Sequence, residues 1–435
     1  MKGMSMLQGA AVTVGAVLGT GVIALPALAA RVAGPASLIA WVALVALSAP
    51  LAWTFAALGA RYPDAGGVST YVRRAFGARA AAVVGWSFYF AVATGAPAAS
   101  LFGAAYVSAA LGGGRVTAFV TAAVMIVVVT AMNAGGVRTS GRAQLGLATL
   151  LVALLLAATV VALPHARAAN VEPFAPHGWF AVVPAAAVLV WGFAGWEAVT
   201  ALAADFRDPK RDLPRATAIA VAVIAVLYLG VAAASLLVLG PRTGSAQAPL
   251  AELLAVGAGG SVRLFTAVAA VVMTVGAMNA YFAGAAKLGA ALGRDGALPA
   301  WFARGAAPGE VPRRSLGVVA VVSTVALAVV SATGEAAGAE LSARLTTGCF
   351  VLVYVLGTAA AVRLLPRGSW SRRAAVVALV CSAALLAMTG WYLLWTLAVA
   401  VAALLYVRRR GVRRTAAAPS TPPAAPPEGT RTGRC

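Results

Sequence analysis

The feature that most constrains this chain is a succession of apolar runs, each about twenty residues long and nearly free of charge, between Met6 and Val407. Such a run crosses the ~30 Å hydrocarbon core of a bilayer as one helix, because lipid offers the backbone no partner and a helix satisfies its own N–H and C=O groups. Twelve runs qualify: 7–30, 37–59, 81–111, 116–132, 143–163, 179–203, 216–240, 261–285, 316–333, 341–362, 374–389 and 391–407. Composition agrees, since 62% of residues are hydrophobic and 10% charged, against about 25% charged in a soluble chain. The expected fold class is an all-α polytopic membrane protein with twelve transmembrane helices, and a soluble globule is excluded. Only Gly390 separates the last two runs, so a hairpin around Thr389 and Gly390 is expected there.

A net charge of +21 invites a nucleic-acid partner, but its distribution argues otherwise. With the N-terminus in the cytoplasm, 27 of the 33 Lys and Arg residues fall on the inner side. Arg31, Arg115, Arg167, Arg242, Arg263 and Arg344 are left outside. That is the positive-inside asymmetry, and it accounts for the basic excess without nucleic acid. It places both termini in the cytoplasm and the chain in the inner (plasma) membrane as a multi-pass protein. Lys2 alone precedes the first run and Arg31 follows it, so no cleaved signal is expected and the first span stays. Residues 1–407 read as one membrane domain, and the basic, Pro-rich 408–435 as a disordered cytoplasmic tail resting on anionic lipid.

No metal or cofactor is expected. Cys349, Cys381 and Cys435 form no CxxC pair, Cys435 lacks the three following residues that prenylation needs, and His165 and His177 share one outer loop without ligand spacing.

Most runs are plain Ala, Val and Leu, so the informative ones contain what a membrane helix should not. The first reads Gly15-Ala16-Val17-Leu18-Gly19-Thr20-Gly21 with Pro26 beyond, and the sixth reads Trp191-Gly192-Phe193-Ala194-Gly195-Trp196-Glu197. Glycines weaken a helix there, and broken backbone at membrane depth persists only where it lines a cavity. Breaks in spans one and six are what two five-helix repeats give, 7–163 and 179–362, with helices over 374–407 added. Paired breaks of this kind mark the substrate site in transporters built from inverted repeats. The alternative is that Gly15 and Gly19 form a GxxxG packing face.

Glu197 is the one carboxylate deep in any run. At that depth it costs roughly 2.5–3.5 kcal/mol on insertion scales, so it should face protein or water and have a role. Two roles are open: carrying a coupling proton or gating, and accepting hydrogen bonds from the unwound backbone of span one. Trp191 lies mid-span and is a candidate pocket lid. Asn279 and Tyr281 in span eight are candidate pocket-lining residues, with helix-to-helix hydrogen bonding as the alternative.

These fragments, together with Arg61-Tyr62-Pro63-Asp64-Ala65-Gly66-Gly67, Ala75-Phe76-Gly77, Asp208-Pro209-Lys210-Arg211-Asp212-Leu213-Pro214-Arg215-Ala216 and Arg294-Asp295-Gly296-Ala297-Leu298-Pro299, resemble the amino acid-polyamine-organocation permeases. Leu18 to Gly34 and Met388-Thr389-Gly390-Trp391 most resemble the bacterial exporters of L-methionine and branched-chain amino acids.

The resemblance implies a LeuT-type 5+5 inverted repeat. In it the span-one break (Ala16, Leu18, Gly19, Thr20, Gly21) offers amides to a substrate carboxylate. Carbonyls of the span-six break (Trp191, Gly192, Phe193, Ala194, with Gly195 beside them) take its amino group. Trp191 matches the aromatic that covers substrate, and Glu197 matches the span-six glutamate. Two departures stand: 144–161 lacks the lysine of some proton-coupled members, and span eight has Thr274 alone where sodium-coupled relatives offer paired hydroxyls.

Besides Glu197 the expected pocket holds no charge, which favours a neutral, mainly apolar amino acid, although an aromatic can also hold a cation. The expected function is secondary active transport by alternating access, with efflux of methionine or branched-chain amino acids favoured over uptake or exchange by the subgroup resemblance alone. An enzyme is not expected, since both histidines lie outside the bilayer and only one carboxylate within it. An amino-acid sensor without transport is the other class, and the short tail leaves no room for a signalling domain. The oligomeric state is not legible.

Overall fold

The structure, a computed structural model, describes residues 4–410 apart from 20, 65, 137–140, 198–199, 201–202, 204–205, 260–262, 306–309 and 333. Lys2, Thr20, Ala65, Arg138 and the tail from 411 onward therefore lie outside the described residues.

Some helices begin on side-chain caps. Ser5 and Gln8 form a capping box that starts α1 (Met6–Leu18), each side chain accepting the other's backbone N–H. Asp208 caps the helix that opens at Pro209, its Oδ1 accepting from the amides of Lys210 and Arg211.

The helices that follow α1 are α2 (Gly21–Ala33), α3 (Ser37–Arg61), α4 (Gly67–Phe76), α5 (Ala78–Leu111), α6 (Arg115–Ala134), α7 (Gly141–Ala162) and α8 (Val182–Leu189). Then come α9 (Pro209–Leu239), α10 (Pro249–Ala258), α11 (Arg263–Arg294), α12 (Arg313–Ala332), α13 (Glu335–Leu364), α14 (Trp370–Ala387) and α15 (Leu393–Arg410). Among the described residues there is no strand, only an isolated bridge between Met4 and Phe206.

Among the described residues, ten helical stretches are long and apolar enough to cross a membrane. The first runs from Met6 to Arg61 and covers two expected spans, while Trp179–Phe193, the first half of the expected sixth span, is a shorter apolar helix. Several helices outrun their apolar windows: α9 starts at Pro209 instead of 216, and α11 continues to Arg294 instead of 285. Hydropathy marks the membrane-buried part, whereas capping residues and charged turns in water decide where a helix stops. The last two runs form separate helices, α14 and α15, and not one long helix; Gly390 at φ 61° lies in the turn between them.

The fragment from Arg61 to Gly77 folds as the short helix α4 between α3 and α5. Asp64 Oδ1 accepts from Gly66 N–H and Thr70 Oγ1 at 2.7 and 2.8 Å, and Gly77 at φ 87° turns the chain into α5.

At the centre stands α5, with 78% of its apolar window inside the protein, against 22% for α14 and for the stretch containing α15. It packs on α13, α11, α12, α15 and α6. Pro97 removes one rung of its ladder, and Ser323 of α12 donates to the freed Ala93 carbonyl at 3.0 Å. Two large apolar clusters result, and Leu28, Phe88, Trp191 and Tyr281 pack against both.

Candidate functional site

Span one breaks where its glycines fall. α1 ends at Leu18, Gly19 turns out of the helix at φ 26°, and α2 resumes at Gly21. A glycine serving only as a packing face stays helical, so Gly19 is a break and not half of a GxxxG seam.

The second interruption is longer. After α8 comes one 3₁₀ turn over Val190–Phe193, then extended Ala194, then Gly195 at φ 128°. The two breaks touch. A Cβ on Gly21 would sit 2.8 Å from Gly192 Cα, and a Cβ on Gly195 would sit 2.9 Å from Val17 Cγ2 and 3.0 Å from Ala16 O. Only glycine permits backbones that close.

Two tyrosines from other helices hold this crossing. Tyr228 of α9 reaches the carbonyls of both Val17, at 3.0 Å, and Gly192 with one hydroxyl. Its ring packs on Trp41 and Phe193, each with centroids 5.0 Å away. Tyr354 of α13 donates to Glu197 Oε2 at 2.7 Å. The same oxygen accepts from Gly195 N–H at 3.0 Å, while Oε1 is buried without a partner among the described residues. The backbone held by Glu197 is thus that of its own span. The left-handed Gly195 turns its amide back onto the carboxylate two residues later; among the described residues, which leave out Thr20, no span-one amide reaches it.

A cavity opens beside the crossing, with about 530 Å³ of space including its mouth. Ala16, Val17 and Gly21 line it from the first break, Trp191 and Ala194 from the second. The remaining wall is Ala91, Val92, Gly95, Ala96 and Ala99 of α5, Ala277, Met278, Tyr281 and Phe282 of α11, and Thr346 and Phe350 of α13. No side chain in this wall is charged.

Trp191 crosses toward α5, edge-on to Phe102 with centroids 6.3 Å apart. Gly95 makes its room, since a Cβ there would meet Trp191 Cη2 at 3.0 Å and Thr346 Cγ2 at 2.9 Å.

Of the residues expected from sequence, Ala16, Gly21, Trp191, Ala194 and Tyr281 meet on this wall. Leu18, Gly19, Gly192, Phe193, Gly195 and Glu197 lie outside it, in and around the two breaks. Asn279 turns toward α6, where Asn133 Nδ2 donates to its Oδ1 at 2.8 Å, which is the helix-to-helix role. Thr20 is outside the described residues.

Sequence reasoning missed the α5 wall, Thr346, Phe350 and both tyrosines. A signal for α5 did exist: Ala91, Gly95, Ala99 and Gly103 recur every fourth residue and put one small-residue stripe on one helix face.

Chemically, α2 begins at the break, so its first amides lack intrahelical partners and its positive dipole end suits an anion. The carbonyls opposite are already engaged. Trp191 O accepts from Ala194 N–H at 3.3 Å, Gly192 O from Tyr228, and Phe193 O from Tyr354 at 3.4 Å. A carbonyl has two lone pairs, so each retains capacity for a further donor.

Comparison with known proteins agrees with this architecture. Residues 4–426 match the family model described as amino acid permease. The uncharacterized amino acid permease YecA of Bacillus subtilis is 32% identical, covering 94% of this chain and 96% of its own. The L-methionine/branched-chain amino acid exporter YjeH of Escherichia coli is 30% identical over 91% of this chain and 93% of its own. The crystal structure of MhsT in complex with L-phenylalanine superposes with a TM-score of 0.61 at 14% identity, covering 90% of this chain and all of MhsT, which shows a shared LeuT-type fold. A multi-pass membrane bundle of transporter fold, matched by the family model along nearly its whole length, places the chain in the amino acid permease family.

Proposed function

We propose that this permease carries neutral, mainly apolar amino acids by alternating access, binding them in the cavity between the two breaks. The observation that carries this reading is the uncharged wall. Ala, Val, Met and Phe side chains suit an aliphatic or thioether group, and no side chain there would pair with a second charge on the substrate. The α-carboxylate meets the amino end of α2, and the α-ammonium meets break carbonyls through their second lone pairs. Trp191 covers the substrate from the α8 side.

Efflux is the favoured direction, on the likeness to YjeH, with both termini cytoplasmic in the inner membrane. Glu197 is our candidate to carry a coupling proton or to gate; in support, one of its oxygens is buried without a partner among the described residues. A 5+5 repeat is supported by reciprocal packing. The first half of span one packs on α9, the seventh expected span, and α8 of span six packs on α3, the second.

Counterflow in proteoliposomes tests the proposal. Vesicles loaded with methionine, leucine, isoleucine or valine should accumulate the labelled amino acid, and those loaded with lysine or glutamate should not. Counterflow restricted to lysine or glutamate would overturn the neutral-substrate reading.

A further inference from the structure

Tyr228 belongs to neither break, yet its hydroxyl lies within hydrogen-bond reach of a carbonyl from each: Val17 O at 3.0 Å and Gly192 O closer still. Val17 sits in the last turn of α1, and Gly192 sits in the 3₁₀ turn that follows α8. Two carbonyl oxygens converging on one point repel each other, and the hydroxyl proton between them is what makes the convergence favourable. The ring cannot swing away, because Trp41 and Phe193 pack on it and the residue is fully buried. The position of Tyr228 along α9 therefore fixes how far apart the two breaks stand.

We propose that Tyr228 is a positioning residue that clasps the two broken helices together and so sets the geometry in which the cavity receives substrate. It acts through the backbone, since Tyr228 does not line the cavity, whereas Val17 on the wall and Trp191, next to Gly192, do. Without the hydroxyl, two buried carbonyls face each other unbridged and the crossing relaxes, taking Ala16, Val17 and Trp191 out of register. The consequence for transport rests on the substrate site proposed above, but the clasp itself does not.

The test is Tyr228→Phe, which keeps the ring and removes only the oxygen. In proteoliposomes the variant should raise the half-saturation constant for methionine or leucine at least tenfold, with the maximal rate within about threefold of wild type. A role in stability alone would lower yield and leave half-saturation unchanged. Tyr89→Phe is the control: its hydroxyl donates to Ser315 O at 2.8 Å, in the first turn of α12 and outside both breaks and the cavity lining, and half-saturation should not move.

Hydrogen–deuterium exchange reads the clasp directly. Peptides covering 14–21 and 190–195 should both exchange faster in Tyr228→Phe, and in the wild-type protein they should open together as denaturant is raised. Wild-type half-saturation in Tyr228→Phe, unchanged exchange in the two peptides, or independent opening of them would each overturn the proposal. Should Tyr228→Phe fail to insert, the wild-type opening experiment decides. Absence of any amino-acid counterflow by the wild type would sink the substrate reading, and the clasp would then stand or fall on exchange alone.

Discussion

The two breaks interrupt their helices by different means. In span one α1 ends at Leu18, Gly19 is left-handed, and the chain is helical again by Gly21, with Thr20 outside the described residues. In span six the chain passes through a 3₁₀ turn, an extended Ala194 and a left-handed Gly195, and Glu197 folds back to hold the Gly195 amide. The first break is a joint between two intact helices. The second is a shaped loop fixed by side chains, its carbonyls bonded by Tyr228 and Tyr354. Substitutions at the first should act through backbone approach and conformation, and those at the second also through the polar groups that shape the loop.

The sharpest expected loss follows from Gly195→Val. Its Cβ would press on Val17 and on the Ala16 backbone at about van der Waals contact less half an ångström, and φ 128° is closed to β-branched residues. Counterflow should vanish while the protein still inserts; appreciable transport would mean that the breaks need not touch. Gly21→Val should be nearly as damaging, because its Cβ meets Gly192 Cα at 2.8 Å and backbone cannot step aside. Gly19→Ala is milder. Nothing lies closer than 3.4 Å, so only the strained backbone costs, about 1–3 kcal/mol, and transport should be reduced rather than lost.

Glu197→Gln separates the roles open to the second break. The amide side chain keeps an acceptor for the Gly195 N–H and for Tyr354, so binding should persist. If Glu197 carries the coupling proton, the flux measured between pH 5 and 8 becomes flat in the variant. A retained pH profile with weakened affinity would instead make it a purely structural acceptor.

Smaller again is Tyr354→Phe. It removes one of two donors to Glu197 Oε2, and affinity should fall a few-fold, in line with the ~0.5–1.5 kcal/mol net contribution of one hydrogen bond. No change in affinity or in pH profile would show that the loop is held without α13.

How much of this could be read beforehand follows from what each residue type can signal. The all-helical membrane class was legible because apolar length is a strong constraint, whereas the number of spans was less so, ten stretches qualifying among the described residues against twelve expected. Both breaks were legible because Gly is costly in a membrane helix unless something requires it, and Glu197 was legible as a carboxylate among apolar neighbours. The α5 wall was not, since Ala91, Ala96 and Ala99 look the same whether they face lipid, another helix or a cavity. Tyr228 and Tyr354 were missed for a related reason: a tyrosine in an apolar run has an unremarkable ring, and only the fold reveals whose carbonyl or carboxylate its hydroxyl meets. Asn279 shows the converse, a polar residue that drew attention to the cavity and whose Oδ1 accepts from Asn133 of α6.

The central claim is that both breaks face one substrate site. It is tested most directly by single cysteines at Ala16 and Ala194, one from each break, in a background without Cys349, Cys381 and Cys435. Modification of each by a small methanethiosulfonate reagent is measured with and without methionine. Protection of both positions, at the same half-effective methionine concentration, is the expected result. Protection of only one, or of neither while counterflow persists, would contradict a site shared between the two breaks.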